Sequence, residues 1–106
     1  KNNMLFISGQ IPLNPNTGNL EMETIEEATN RVMLNIKALL EAAGMQMNEI
    51  VKCSIFLKDL NDFSVVNDIY SSYFDEVYPA RETVQVSKLP LDVSIEISCI
   101  AIRNDK

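Results

Sequence analysis

Ser94-Ile95-Glu96-Ile97-Ser98-Cys99-Ile100-Ala101-Ile102 decides the architecture, because both of its alternating sets of side chains contain apolar residues. Ile95, Ile97, Cys99 and Ala101 fall on one side of an extended chain, and Glu96, Ser98, Ile100 and Ile102 on the other. The first set predicts a strand face packed on a core. The second is not wholly polar, since Ile100 and Ile102 share the parity of Glu96 and Ser98, so it predicts a face that needs a cover of its own.

Working outward, Thr83-Val84-Gln85-Val86 reads as a further strand, joined to the last one through the Leu89-Pro90-Leu91-Asp92 turn region. Val51, Cys53, Ile55 and Leu57 alternate with Lys52, Ser54, Phe56 and Lys58, again a period of two. Met4-Leu5-Phe6-Ile7 is a short apolar run ending at Ser8-Gly9, where a bend or a close approach of another backbone or a ligand is expected. Pro12, Pro15 and Asn16-Thr17-Gly18 then punctuate a loop.

Two segments carry helical spacing instead. Thr24 and Glu27 form an S/T-x-x-E start, followed by Ile25, Ala28, Val32, Ile36, Leu39, Leu40 and Ala43 on one face and Gly44 as a left-handed stop. Asp59 and Asn61 are cap candidates for a second helix with the stripe Phe63, Val66, Ile69, Tyr70, Tyr73 and Phe74, its end marked by Tyr78-Pro79. The order is β-α-β-α-β-β. Each helix has one apolar stripe, so both can lie side by side on one face of a mixed sheet in an α+β domain. The opposite face is then expected to pack against another subunit, most simply in a closed cyclic oligomer.

With 106 residues the chain is expected to form one domain over 1–106. The mix of 46% hydrophobic and 23% charged residues is that of a globular protein, with no apolar run approaching the roughly 18 residues of a membrane helix and no leader-like opening. A cytoplasmic address is the expectation. The net charge of −6 disfavours nucleic-acid partners, since that affinity comes largely from Lys and Arg. Cys53 and Cys99 stand far apart in apolar contexts and read as reduced core thiols. The chain has no histidine, which removes Ser-His-Asp and Cys-His systems and most transition-metal sites.

Acid–base chemistry therefore falls to carboxylates, tyrosines or lysines. Glu96 is the most informative acid: it stands within an apolar strand on a face that also bears Ser98 and Ile100, where desolvation raises a carboxyl toward proton exchange near neutrality. A solvent-facing Glu on a half-buried strand has the same pattern. Arg81 follows Pro79-Ala80, a rigid lead-in that can aim a guanidinium at a carboxylate, although a surface arginine in a weak ion pair reads alike. Gly9 can expose a backbone N–H to a ligand or simply serve a turn or bulge. Asn67 lies off the main stripe of the second helix and faces either a pocket or water, and Thr83, Phe63, Tyr70 and Tyr73 suit core or strand roles equally well.

Ser8-Gly9-Gln10-Ile11-Pro12, Asn35-Ile36-Lys37-Ala38-Leu39-Leu40-Glu41-Ala42-Ala43-Gly44, Phe56-Leu57-Lys58-Asp59-Leu60-Asn61-Asp62-Phe63, Pro79-Ala80-Arg81 and Leu89-Pro90-Leu91-Asp92-Val93-Ser94-Ile95-Glu96-Ile97 resemble, in order and spacing, the reactive-intermediate deaminase (Rid, or YjgF-like) family. The resemblance implies a chorismate-mutase-like α+β fold and a homotrimer with ligand clefts at subunit boundaries. It implies a hydrolase that turns enamines and imines such as 2-aminoacrylate and 2-iminopropanoate into 2-keto acids and ammonia, without metal or organic cofactor. By position, Arg81 matches the family's carboxylate-binding arginine and Glu96 the glutamate that orients or activates water. Gly9 and Thr83 match positions whose backbone amides line the ligand, and Ser8, Phe63 and Asn67 match further pocket positions.

The same resemblance leads us to expect the family's N-terminal strand, with its Gly-Pro-Tyr segment, ahead of Lys1-Asn2-Asn3 and missing from this sequence. Glu82, Thr83 and Ser98 depart from the residues common in the best-studied branch, which bears on substrate preference more than on reaction class. Two other functions compete: a non-catalytic keto-acid or amino-acid binding module, and a chaperone-like or RNA-directed (endoribonuclease-like) protein.

Overall fold

The structure is a computed structural model that describes residues 3–104, so the outermost residues of the expected 1–106 domain lie outside it. The strands are β1 (Met4–Gln10), β2 (Ile50–Leu57), β3 (Ala80–Gln85) and β4 (Ile95–Ile102), and the helices are α1 (Ile25–Ala42) and α2 (Phe63–Ser72). They form one four-stranded mixed sheet in the order β1-β4-β2-β3, antiparallel except for the parallel pair β2 and β3. Both helices lie on the same face and touch each other. No helix of the described residues is long and apolar enough to cross a membrane.

Local chemistry sets the helix limits. The Thr24 hydroxyl accepts the Glu27 N–H at 3.0 Å and caps α1, while the Glu27 carboxylate accepts the N–H of Glu23. At the other end Gly44 takes a φ of 74°, and the N–H groups of Gly44 and Met45 return to the carbonyls of Glu41 and Leu40. Arg103, just past β4, donates to the carbonyls of Ala43 and Gly44 and supplies the positive charge that the last turn lacks. In α2 the stop comes at Ser72, well before the Tyr78-Pro79 expected from sequence. The Tyr73 N–H turns back to Tyr70 and Ser71, and Asp75 and Glu76 would have faced the negative end of the dipole.

The core alternates along the strands as the pattern requires, except that a register shift between Ile50 and Lys52 leaves Val51 42% exposed and buries Ile50 in its place. Ile7, Cys53, Ile55, Leu57, Ile95, Ile97, Cys99 and Ala101 meet Ala28, Val32, Met33, Ile36 and Leu40 of α1 and Val66, Tyr70 and Phe74 of α2. One stripe member departs: Leu39 is 42% exposed, and Met33 fills the core instead. The other sheet face is uncovered. Glu96, Ser98 and Ile100 are half-buried, and Phe6 is 62% exposed.

Candidate functional site

Arg81 and Glu96 stand on opposite faces of the sheet. Arg81 pairs with Cys53, whose side chain points to the helices, whereas Glu96 pairs with Phe56 on the uncovered side. From Glu96 to β3 is two strand spacings of about 4.8 Å, and Arg81 lies three residues along from that row, so the two Cα atoms are roughly 14 Å apart. One chain does not bring them together.

Around Arg81 the helix face forms a hollow. Its Nη1 donates to Asn67 Oδ1, and its guanidinium carbon lies 5.3 Å from the ring centres of both Phe63 and Tyr70. Beside it opens a cavity of about 350 Å³ lined by Asn67, Tyr70, Ser71, Tyr78, Pro79 and Arg81. The Tyr78 ring stands at a tilt 6.2 Å from Phe74. A larger hollow of about 650 Å³, bounded by Met47, Asn48 and residues 73–77, includes Tyr73 but none of the residues matched by position to the family's site.

Thr83 lies two residues beyond Arg81 with its Oγ1 buried and unpaired. β3 is an edge strand, and the Val86 N–H bonds the Leu57 carbonyl at 2.9 Å. Because extended residues alternate the direction of their N–H groups, Arg81 and Thr83, of opposite parity to Val86, turn theirs toward the open edge. A carboxylate at this edge can thus meet a guanidinium and backbone donors together.

The second group gathers on the uncovered face. The pairing of β1 with β4 shifts between Ile7 and Gln10, a bulge that contains Ser8 and Gly9. A Cβ placed on Gly9 would overlap the Glu96 carboxylate, so glycine is required here for close approach. Glu96 makes no side-chain hydrogen bond or ion pair among the described residues, which leaves its oxygens free for water or ligand. Ser8 is exposed beside it.

Beneath Arg81, Cys53 and Cys99 are register partners whose sulfurs lie 3.3 Å apart, both buried and free. The hydrogen bond from Cys99 draws the Cys53 thiol down, while that bond and burial push Cys99 up, as for a pair in which one thiolate forbids the next. Burial pushes the Tyr70 hydroxyl up, so it stays a neutral phenol under the guanidinium. Among the described residues no three His, Cys, Asp or Glu side chains are grouped to hold a metal ion.

Sequence reading missed Tyr70, Ser71, Tyr78 and Pro79 as a wall of the Arg81 cavity. The available signal was the spacing of Phe63, Asn67 and Tyr70, which puts all three on one side of α2.

Two helices on one face of a four-stranded sheet, with an edge-strand arginine over that layer and a glutamate behind it, define a small α+β domain. The profile of the family described as Endoribonuclease L-PSP matches residues 1–103, and the chain belongs to that family, the Rid family of the sequence blocks above. It is 52% identical over 101 residues to a RutC family protein of Pyrococcus abyssi, spanning 95% of this chain and 80% of that protein. It is 47% identical over 104 residues to the 2-iminobutanoate/2-iminopropanoate deaminase of Escherichia coli, with the same coverage of 95% and 80%. The solved structure of Escherichia coli TdcF with bound serine superposes with a TM-score of 0.92 at 41% identity, over 96% of this chain and 82% of that one.

Proposed function

We propose that this protein hydrolyses enamine and imine intermediates of the 2-aminoacrylate/2-iminopropanoate type to 2-keto acids and ammonia, as a homotrimer whose sites lie between subunits. The observation that carries the reading is the division of the candidate residues: Arg81 and Thr83 at the β3 edge, Glu96 and Gly9 on the opposite face near the β1 edge. Complementary halves at two ends of one sheet are what a head-to-tail ring needs, since each boundary joins one half of each kind. The uncovered face supports the ring, because leaving Phe6 in water forfeits about 2 kcal/mol of burial that a neighbour can recover. Deaminase-named relatives, and a relative that holds serine, point to small carboxylate-bearing ligands.

Arg81 and the edge amides fix the substrate carboxylate, so that the imine carbon faces a water held by Glu96 of the neighbouring copy. Positioning lowers much of the barrier. The water oxygen bonds to the iminium carbon while its proton passes to Glu96, giving a carbinolamine. Glu96 then passes that proton to the amine nitrogen, the carbon–nitrogen bond breaks as ammonia leaves, and the hydroxyl gives its own proton back to the Glu96 carboxylate as it becomes the keto oxygen. An enamine substrate first takes a proton at its methylene carbon, which gives the iminium that the water attacks. The net charge of −6 is unfavourable for RNA as a substrate.

The test is an assay in which 2-aminoacrylate is generated in situ and pyruvate release is followed. Wild-type protein is expected to accelerate release. Arg81→Ala should lower kcat/KM by about a hundredfold or more through loss of charge-assisted hydrogen bonds. Glu96→Gln should still bind pyruvate while turnover collapses. Binding without any acceleration by the wild type would make the protein a sensor of keto acids instead.

A further inference from the structure

Phe63, Asn67 and Tyr70 occur at positions i, i+4 and i+7 of α2, on one side of the helix. Seven residues at 1.5 Å rise place the two rings about 10 Å apart along the axis, with Asn67 between them. The Arg81 guanidinium carbon is 5.3 Å from each ring centre, and its Nη1 is bonded to the Asn67 amide oxygen. The guanidinium therefore sits midway along a slot walled by two aromatic rings and floored by an amide.

We infer that Tyr70 is a positioning residue for the deamination proposed above, its ring and that of Phe63 holding the Arg81 guanidinium in the one orientation that presents its free edge to a monocarboxylate. The inference rests on the reading of Arg81 as a carboxylate clamp and adds what aims it. Arginine on a bare edge strand has many rotamers, and a clamp that must be ordered at each binding event loses affinity to that ordering. Stacked cations are attracted to ring faces, more strongly where water is excluded. Tyr70 suits this role because it is itself packed into the core: it is 2% exposed, and its ring meets Phe74 with centres 5.0 Å apart. Asn67 accepts from Nη1, which leaves the other guanidinium N–H groups to a ligand.

The ring, not the hydroxyl, does this. The Tyr70 hydroxyl is buried without a hydrogen bond of ordinary geometry, having beside it only the weakly bonding Cys53 thiol. Removing the oxygen should cost nothing in orientation. Removing the aromatic face should loosen Arg81.

The experiment compares steady-state kinetics on freshly generated 2-iminopropanoate, and pyruvate affinity by calorimetry, for full-length wild type, Tyr70→Leu, Phe63→Leu and Tyr70→Phe. Circular dichroism melts accompany each. Tyr70→Leu is expected to raise KM and the pyruvate Kd about tenfold with kcat within about twofold, and Phe63→Leu to do the same to a smaller degree. Tyr70→Phe should restore both constants to near wild type. Phe63 is only half-buried, so its variant decides the matter if Tyr70→Leu does not fold. Wild-type KM in a folded leucine variant overturns the slot while leaving the clamp intact, provided Arg81→Ala still abolishes binding. Wild-type binding by Arg81→Ala removes the clamp itself, and the slot with it.

Discussion

The two faces of the sheet are made by the same four strands, yet one is closed and the other open. On the helix side, Cys53, Ile55, Leu57, Ile95, Ile97 and Ala101 are buried by α1 and α2. On the other side, Glu96, Ser98 and Ile100 are half-buried, and Phe6, Val84 and Ile102 are 62%, 43% and 41% exposed. Each face also carries one half of the candidate site: Arg81 in its aromatic slot on the first, Glu96 against Gly9 on the second. A strand that alternates at every residue can build a core with one set of side chains and keep the other for a partner. For the deamination proposed above, a pair divided in this way needs a second copy of the chain.

Charging the open face should break that contrast most severely. Phe6→Glu is expected to leave the helix-side core intact by circular dichroism while light scattering shows the assembly fall to single chains of 11.9 kDa, with activity lost alongside. Retained assembly would mean that this face is not the interface. A mixing experiment sharpens the point. Arg81→Ala and Glu96→Gln, each inactive alone, should recover about a quarter of wild-type activity when co-assembled in equal amounts, since random trimers keep one intact boundary in three quarters of cases. No recovery would place both residues in a site within one chain.

Smaller changes probe each half alone. Gly9→Ala introduces a methyl where the Glu96 carboxylate lies and should lower kcat roughly tenfold to a hundredfold, while the pyruvate Kd, set at the other half, moves much less. Away from both halves, the Glu49 carboxylate accepts N–H groups from Asn104 and Gln46 at 2.7 and 2.8 Å, and these bonds hold it below the usual carboxylate range. A depressed folded-state pKa stabilises above the unfolded value of about 4.3 and ceases to do so as pH falls through the folded value. Glu49→Gln should thus lower Tm modestly at pH 7, with the gap closing in acid while activity per folded chain stays level.

The strands and helices were legible because each carries its own period. The last strand showed two different faces, the α1 stripe ran from the Thr24 cap to Gly44, and the need for a cover on the second face was visible from Ile100 and Ile102. The α2 end was not, since tyrosine, phenylalanine and valine between Tyr73 and Tyr78 continue an apolar pattern that the backbone does not follow. Arg81 and Glu96 were recognisable as candidates, but not their placement on opposite faces, because parity along one strand says nothing about parity along another until the register is known.

Local periodicity and family likeness, both written along the chain, thus determined which residues form strands and helices, where α1 is capped, and which arginine and glutamate merit attention. Tertiary structure alone decided that Tyr70 lies beneath Arg81, that Gly9 makes room for Glu96, and that the two charged groups look away from each other. The reason is physical: spacing along a chain specifies directions relative to its own axis, whereas distance between side chains of different elements is set by how strands pair and how helices pack across them.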